Sequence, residues 1–303
     1  MTTSLDGVVK EILQSYSDEE KLVTMVSKGK EYTVKGYFAG VFAGFKLHVE
    51  GEEAQDWQEK PYLKAQKWNA LAYPKDVDNV IAFFQETSKY SILKAYGDPK
   101  RKRIGELAKD LYKVYGAKTI QQYLFNSDQM DRYAEFQEGS RWQLRFHLQA
   151  QYVLLFEQVA SALRETTPWA CRYTESLANL IWKSREDEEL EEYSIEQFLA
   201  CPYELIRIPG VFNALILDDY DFTDADAIAA TRGFPKDDPV RVYHGVLYWQ
   251  LKLMNDFGHV YLFRDTLIRT ASEKLQVPFA LIEETISRLI EDKIMTNYTP
   301  FYI

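Results

Sequence analysis

The apolar residues change period once, at Pro74, and that change constrains the fold more than any other feature. Before it, Leu5 to Leu13, Lys21 to Val26, Glu31 to Phe38, Phe45 to Glu50 and Tyr62 to Leu71 are strand-length runs rich in Val, Tyr, Phe, Leu and Thr. Ser27-Lys28-Gly29-Lys30, the stretch from Ala39-Gly40 to Gly44, and a polar loop ending at Pro61 separate them. Five short strands with glycine-marked turns predict a small closed barrel of the OB type over residues 1–73. Aromatics in such a barrel either fill its core or, where exposed, stack bases.

Beyond Pro74 the period is helical. Val80, Ile81, Phe83 and Phe84 form one apolar face, and Ile104, Leu107, Ala108, Leu111 and Val114 form another that ends at Tyr115-Gly116. Further on, Val242, Val246, Trp249, Leu253 and Phe257 line one face of a helix over 240–257 that Gly258 terminates. Asp224 and Asp265 are each predicted to cap the helix beginning beside them. Pro278 opens a helix over 279–292 with Ile282, Ile286 and Leu289 inward, and Ile294 to Ile303 reads as a β-hairpin. The predicted class is α+β, mainly α, in three parts. Residues 1–73 form the barrel, 74–200 a helical region of hairpins, and 201–303 a helical hairpin plus a winged-helix-like unit.

A chain of 303 residues with 46% hydrophobic and 27% charged residues has material for more than one core. The formal charge of −10 weighs against nucleic acid, because phosphate neutralisation supplies most of such affinity. Its distribution reduces the objection: Lys and Arg against Asp and Glu number 13 and 15 over residues 1–100, 10 and 8 over 101–170, and 13 and 23 over 171–303. The basic run Lys100-Arg101-Lys102-Arg103 lies in the one segment with a positive balance, and reads equally as a phosphate contact or a solvated helix start.

Catalytic and metal signatures do not assemble. There is no phosphate loop of the form G-x-x-x-x-G-K-[ST], no G-x-S-x-G elbow, and no H-E-x-x-H pairing among His48, His147, His244 and His259. Cys171 and Cys201 stand far apart and are expected to be buried free thiols. The run Asp218 to Asp226 has D-x-D spacing but lacks the glycine and terminal Glu of a calcium loop, so it reads as capping and solvated acid. Neither catalytic residues, nor a metal, nor a cofactor is expected. No apolar run approaches the ~20 residues of a membrane span, and the first residues lack a basic n-region and apolar h-region. The expected location is cytoplasmic, with no membrane partner.

The order of segments in the second half carries a family resemblance. Cys201-Pro202-Tyr203-Glu204-Leu205-Ile206-Arg207-Ile208-Pro209-Gly210-Val211 is followed by Asp224-Ala225-Asp226-Ala227-Ile228-Ala229, Gly233-Phe234-Pro235-Lys236-Asp237-Asp238-Pro239 and Gly258-His259-Val260-Tyr261-Leu262-Phe263-Arg264-Asp265. Together with Tyr32 to Phe38 and Leu47 to Glu52, this resembles the DNA-handling front of RecD-like helicases, without their motor. The resemblance implies helix-hairpin-helix units whose glycine turns present backbone N–H groups to phosphate. The positions that would do so are Gly97 with Lys100, Arg101, Lys102 and Arg103, then Gly139 with Arg141 and Arg145, and Gly210. The matches are degenerate: the second hairpin keeps one glycine beside an acid, and the third, at Thr166 to Cys171, keeps none.

Two functions are therefore expected as alternatives. One is a non-catalytic module binding single-stranded or junction DNA in repair, recombination or replication. The other is an interaction protein that kept the shape, lost the grip on DNA, and docks on a helicase or nuclease.

Overall fold

In the computed structural model, residues 2–16, 20–87, 89, 101–126, 143–187, 192–206, 217, 219–258 and 261–296 are described, those at 101–103, 143–147, 149 and 257 by backbone alone. The chain is α+β, mainly α, with an N-terminal closed barrel followed by helices. It forms two compact units, Met1–Trp182 and Lys183–Ile303. The second contains 12 Lys and Arg against 22 Asp and Glu, and the first 24 against 24, so the whole formal charge of −10 belongs to the second unit.

Five strands make the barrel: β1 (Thr2–Ser15), β2 (Glu20–Ser27), β3 (Lys30–Tyr37), β4 (Lys46–Gln55) and β5 (Pro61–Ala72). They close in the order β1-β2-β3-β5-β4. β3 and β5 run parallel with Val34 level with Leu63, and the other neighbouring pairs are antiparallel. β1 serves two sides of the barrel because it bends: Thr2 to Val8 pair with β4, and Val8 to Ser15 pair with β2 through irregularities after Val9 and Ile12. Such bulges sharpen twist and let one strand turn a corner. Alternate residues Leu5, Val9, Val23, Met25, Val34, Leu47, Val49 and Leu63 are buried and fill the interior, as the two-residue period of a strand requires.

A helix from beyond the barrel closes one end of it. The turns between β3 and β4 bring Phe42 and Phe45 to that end, and Phe83 of α1 (Val77–Thr87) meets them edge-on at 6.0 Å and tilted at 6.3 Å. Phe83 is 1% exposed and also packs on Phe84 and Tyr123, so the barrel core runs without a break into the helices. Burying a ring of this size contributes about 2–3 kcal/mol. Lys21 lies in the same wall, where its Nζ donates to the Val41 carbonyl at 3.1 Å and sits 5.3 Å over the Phe42 ring.

Among the described residues the first unit also contains α2 (Arg101–Tyr115), α3 (Thr119–Phe125) and the 24-residue α4 (Gln143–Thr166), with 3₁₀ turns at Gly116–Lys118 and Pro168–Tyr173. α2 packs on α1 and ends at Gly116, whose φ of +56° is the left-handed geometry that glycine adopts without strain. α5 (Thr174–Glu186) follows the second 3₁₀ turn.

In the second unit, α6 (Ile195–Ala200) is capped by Ser194, and α7 (Phe222–Thr231), α8 (Pro239–Phe257), α9 (Arg264–Leu275) and α10 (Phe279–Glu291) carry the core. α8, α9 and α10 pack on one another, burying Val242, Val246, Leu267, Ile268, Ala271, Ile282, Ile286 and Leu289. Gly258 ends α8 with φ +65°, as its position predicts. Two caps differ from expectation. Asp221, not Asp224, caps α7: its carboxylate accepts from the N–H groups of Thr223 (2.8 Å) and Asp224 (3.1 Å), which leaves Asp224 in the first turn. Likewise Asp265 lies inside α9, whose N-cap is Phe263. α7 begins three residues earlier than expected and α9 two, and at α7 the buried Phe222 takes the first helical position. Residues 292–295 form a turn and a bend, and the predicted hairpin lies outside the described residues from 297 onward. No helix among the described residues is long and apolar enough to cross a membrane.

A candidate nucleic-acid interface on the first unit

Of the predicted DNA-contacting positions, Gly97, Lys100, Gly139, Arg141 and Gly210 lie outside the described residues. Arg101, Lys102 and Arg103 form the first turn of α2, and Arg145 is the third residue of α4, all described by backbone alone. Cations in a first turn are opposed by the positive end of the helix dipole, which stabilises acids there.

The outer face of β2 and β3, where OB barrels commonly take oligonucleotides, is partly covered by this chain itself. The 3₁₀ turn Pro168–Tyr173 packs on β3. There the Arg172 guanidinium stands 5.0 Å over Trp169 and 4.8 Å over Tyr173, and donates to the Tyr173 hydroxyl at 2.6 Å. Cations along the face are engaged: Lys10 pairs with Glu31 at 2.7 Å, and Lys35 lies 3.4 Å from Glu20 and 4.1 Å over the Tyr16 ring.

The loop joining β4 to β5 is arranged differently. Asp56 accepts from the backbone N–H groups of Gln58 at 2.8 Å and Lys60 at 2.9 Å, and main-chain bonds from Asp56 to Lys60 and from Glu59 to Asp56 close the turn. This well-bonded turn holds Trp57 88% exposed. An indole kept in water on an ordered turn gains nothing from burial in the monomer. Tyr32, 40% exposed, stands near the same end of β3, because Val34 is level with Leu63 and Tyr32 therefore with the start of β5.

A cleft of about 440 Å³ opens where β5 and the turn after β3 face α4. Glu157 and Arg164 line it from the same side of α4, two turns apart, with Ser161 between them. The Tyr73 hydroxyl donates to Oε2 of Glu157 at 2.9 Å. Burial raises the pKa of Glu157, opposed by that hydrogen bond and by the charge of Arg164. The guanidinium carbon of Arg164 stacks 3.7 Å from the centre of the Trp68 ring, while the indole Nε1 of Trp68 donates to the Tyr37 carbonyl at 2.6 Å and is thereby fixed. Burial lowers the pKa of Arg164 as well. Among the described residues Arg164 makes no ion pair and no hydrogen bond, so its fork of donors is available to the cleft. Phe125, 59% exposed, stands on the rim.

Other groups singled out in the sequence have structural work. Asp226 pairs with Arg241, Asp221 caps α7, His244 is partly buried with its pKa lowered by that burial, and His48 bonds to Asp6 on the barrel wall. Cys171 is fully buried; Cys201 is half-buried, and burial pushes its thiol up to about 11. Trp57, Trp68, Glu157 and Arg164 escaped the sequence reading, although two signals existed. Trp57 is a lone aromatic inside Glu52-Glu53-Ala54-Gln55-Asp56-Trp57-Gln58-Glu59-Lys60, and Glu157 and Arg164 share a seven-residue spacing on a largely apolar helix.

The sequence matches no known protein-family model, and no curated protein resembles it significantly.

Proposed function

We propose that this chain is a non-catalytic DNA-binding module, comparable to the front of RecD-like helicases, that engages single-stranded or junction DNA during repair, recombination or replication. The observation that carries this reading is the closed β1-β2-β3-β5-β4 barrel with Trp57 held in solvent on its β4–β5 loop. That loop is one of the two through which OB barrels grip oligonucleotides, and an exposed indole stacks any base. Arg101, Lys102 and Arg103 add support, since cations in the first turn of α2 gain a counter-charge when a phosphate binds. The test is fluorescence anisotropy with labelled single-stranded, duplex and tailed DNA at low and moderate salt. Binding at micromolar concentration that weakens steeply with salt supports the reading. Replacing Lys100, Arg101, Lys102 and Arg103 with alanine should then flatten the salt slope by ~0.7 for each phosphate no longer neutralised. Absence of binding at low salt overturns it.

A second reading, docking on a helicase or nuclease, is favoured by a different observation. Tyr261, Phe263 and Phe279 are 56%, 73% and 57% exposed in the acidic second unit, a surface better suited to protein than to phosphate.

A further inference from the structure

We propose that the cleft between the barrel and α4 binds one nucleotide, with an amine of its base on Glu157 and its phosphate on Arg164. This deepens the DNA-binding reading by naming a pocket for an unstacked base, and it rests on groups that the barrel loop does not use.

The argument starts from two charges that are drawn into one cleft and left apart. An arginine and a glutamate on neighbouring turns ordinarily pair, yet here they stand seven residues apart on α4, about 10 Å along its axis. Each is partly withdrawn from water, which raises its energy unless something supplies the missing partner. Tyr73 satisfies only Oε2 of Glu157, and Trp68 offers Arg164 a ring face but no acceptor.

The ligand must therefore offer N–H donors at one end and an oxyanion at the other. A free phosphate meets Arg164 but is repelled by Glu157. An amino-acid zwitterion has both signs, but too close together to reach both groups. A nucleotide has both at a comparable separation, and its planar base suits a cleft whose walls include Val41, Phe45 and the exposed ring of Phe125. The volume of about 440 Å³ is in the range of small-ligand pockets. Guanidinium is the side chain that grips phosphate through two parallel bonds, and stacking on Trp68 holds its plane for that purpose. Glutamate accepts from the cytosine N4 amine, whereas uracil presents an oxygen at that position.

The experiment measures binding of dCMP, dUMP and deoxycytidine to the full chain by ligand-observed NMR titration. The expected result is that dCMP binds about tenfold more tightly than dUMP, and about tenfold more tightly than deoxycytidine. Glu157→Gln should abolish the preference for dCMP over dUMP, because an amide donates as readily as it accepts. Arg164→Met should weaken dCMP but leave deoxycytidine unchanged, a pattern that a merely structural role for Arg164 does not produce. If either variant unfolds, the comparison of the three ligands on the unaltered chain still decides. Equal affinity for dCMP and dUMP, or for dCMP and deoxycytidine, overturns the proposal, as does absence of dCMP binding. Tailed DNA that binds while dCMP does not would remove this pocket and leave the DNA module standing. Selective dCMP binding without binding of tailed DNA would support the pocket and remove the module.

Discussion

Arg241 and Asp226 form a two-point ion pair in the second unit: Nε donates to Oδ1 at 2.5 Å and Nη2 to Oδ2 at 2.9 Å. Arg241 is only 6% exposed, and its Nη1 donates to the carbonyls of Lys236 and of Leu275, the latter at 3.0 Å. Tyr203 donates to the same Asp226 oxygen at 3.0 Å. One guanidinium thus ties the middle of α7 and the first turn of α8 to the end of α9, a join that no single apolar side chain could make. Arg241→Met removes the fork, leaving two carbonyls and a carboxylate without their partner. Because Asp226 keeps some exposure to water, the expected loss is at the low end for a buried pair, about 3 kcal/mol. A urea unfolding curve measures it, and a loss below about 1 kcal/mol would show that the pair is only decorative.

The barrel offers a second test at Gly51. The register of β4 against β5 shifts between Glu50 and Gly51, and a Cβ at Gly51 would stand 2.2 Å from the Lys64 carbonyl oxygen and 2.8 Å from its carbon. Backbone, unlike the end of a flexible side chain, has no rotamer by which to yield. Gly51→Ala should therefore cost about 3 kcal/mol or more, whereas Gly29→Ala, in an open turn where nothing lies within 4 Å, should cost less. Thermal unfolding followed by circular dichroism separates the two.

His48 makes barrel stability depend on pH. Its Nδ1 faces Asp6 across the β1–β4 pair, and its Nε2 lies 3.4 Å from Glu50. The hydrogen bond to Asp6, then that to Glu50, raises the ring's pKa above the ordinary 6.5. A group whose pKa is raised on folding contributes fully below its unfolded pKa and loses that contribution as pH climbs through the folded value. The melting temperature should accordingly fall as pH rises above about 6.5 and through the ring's raised folded pKa, and His48→Gln should flatten that fall. An unchanged profile in the variant would assign the pH dependence to another group.

How much of this was legible beforehand follows from what each feature depends on. The five strands were readable because inward residues such as Val23, Met25, Val34, Leu47 and Val49 alternate with outward ones, and that period is local. Gly258 and Pro278 punctuated the helices for an equally local reason. Helix starts were misplaced at Asp224 and Asp265 because an acid in a first turn and an acid at the cap leave the same composition; only backbone geometry distinguishes them. The cleft was invisible. Trp68 and Arg164 are 96 residues apart in sequence, and nothing short of the barrel meeting α4 brings them within 3.7 Å.

Trp57 supplies the prediction that separates binding from folding. Its indole is 88% exposed on a turn whose order comes from Asp56 and the main chain, so Trp57→Ala should leave the melting temperature within experimental scatter. If the indole stacks a base, the same change should weaken single-stranded DNA binding by about 1–3 kcal/mol, roughly tenfold or more, with little change in salt slope because the same phosphates stay neutralised. Replacement by Phe keeps a ring face and should restore most of the affinity. Asp56→Ala provides the complementary case: it frees the turn without removing the ring, so affinity should fall less than for Trp57→Ala, because the ring is still present but no longer held in place. Anisotropy titrations of the three variants at two salt concentrations would give that order, and equal affinities for all of them would take the β4–β5 loop out of the interface.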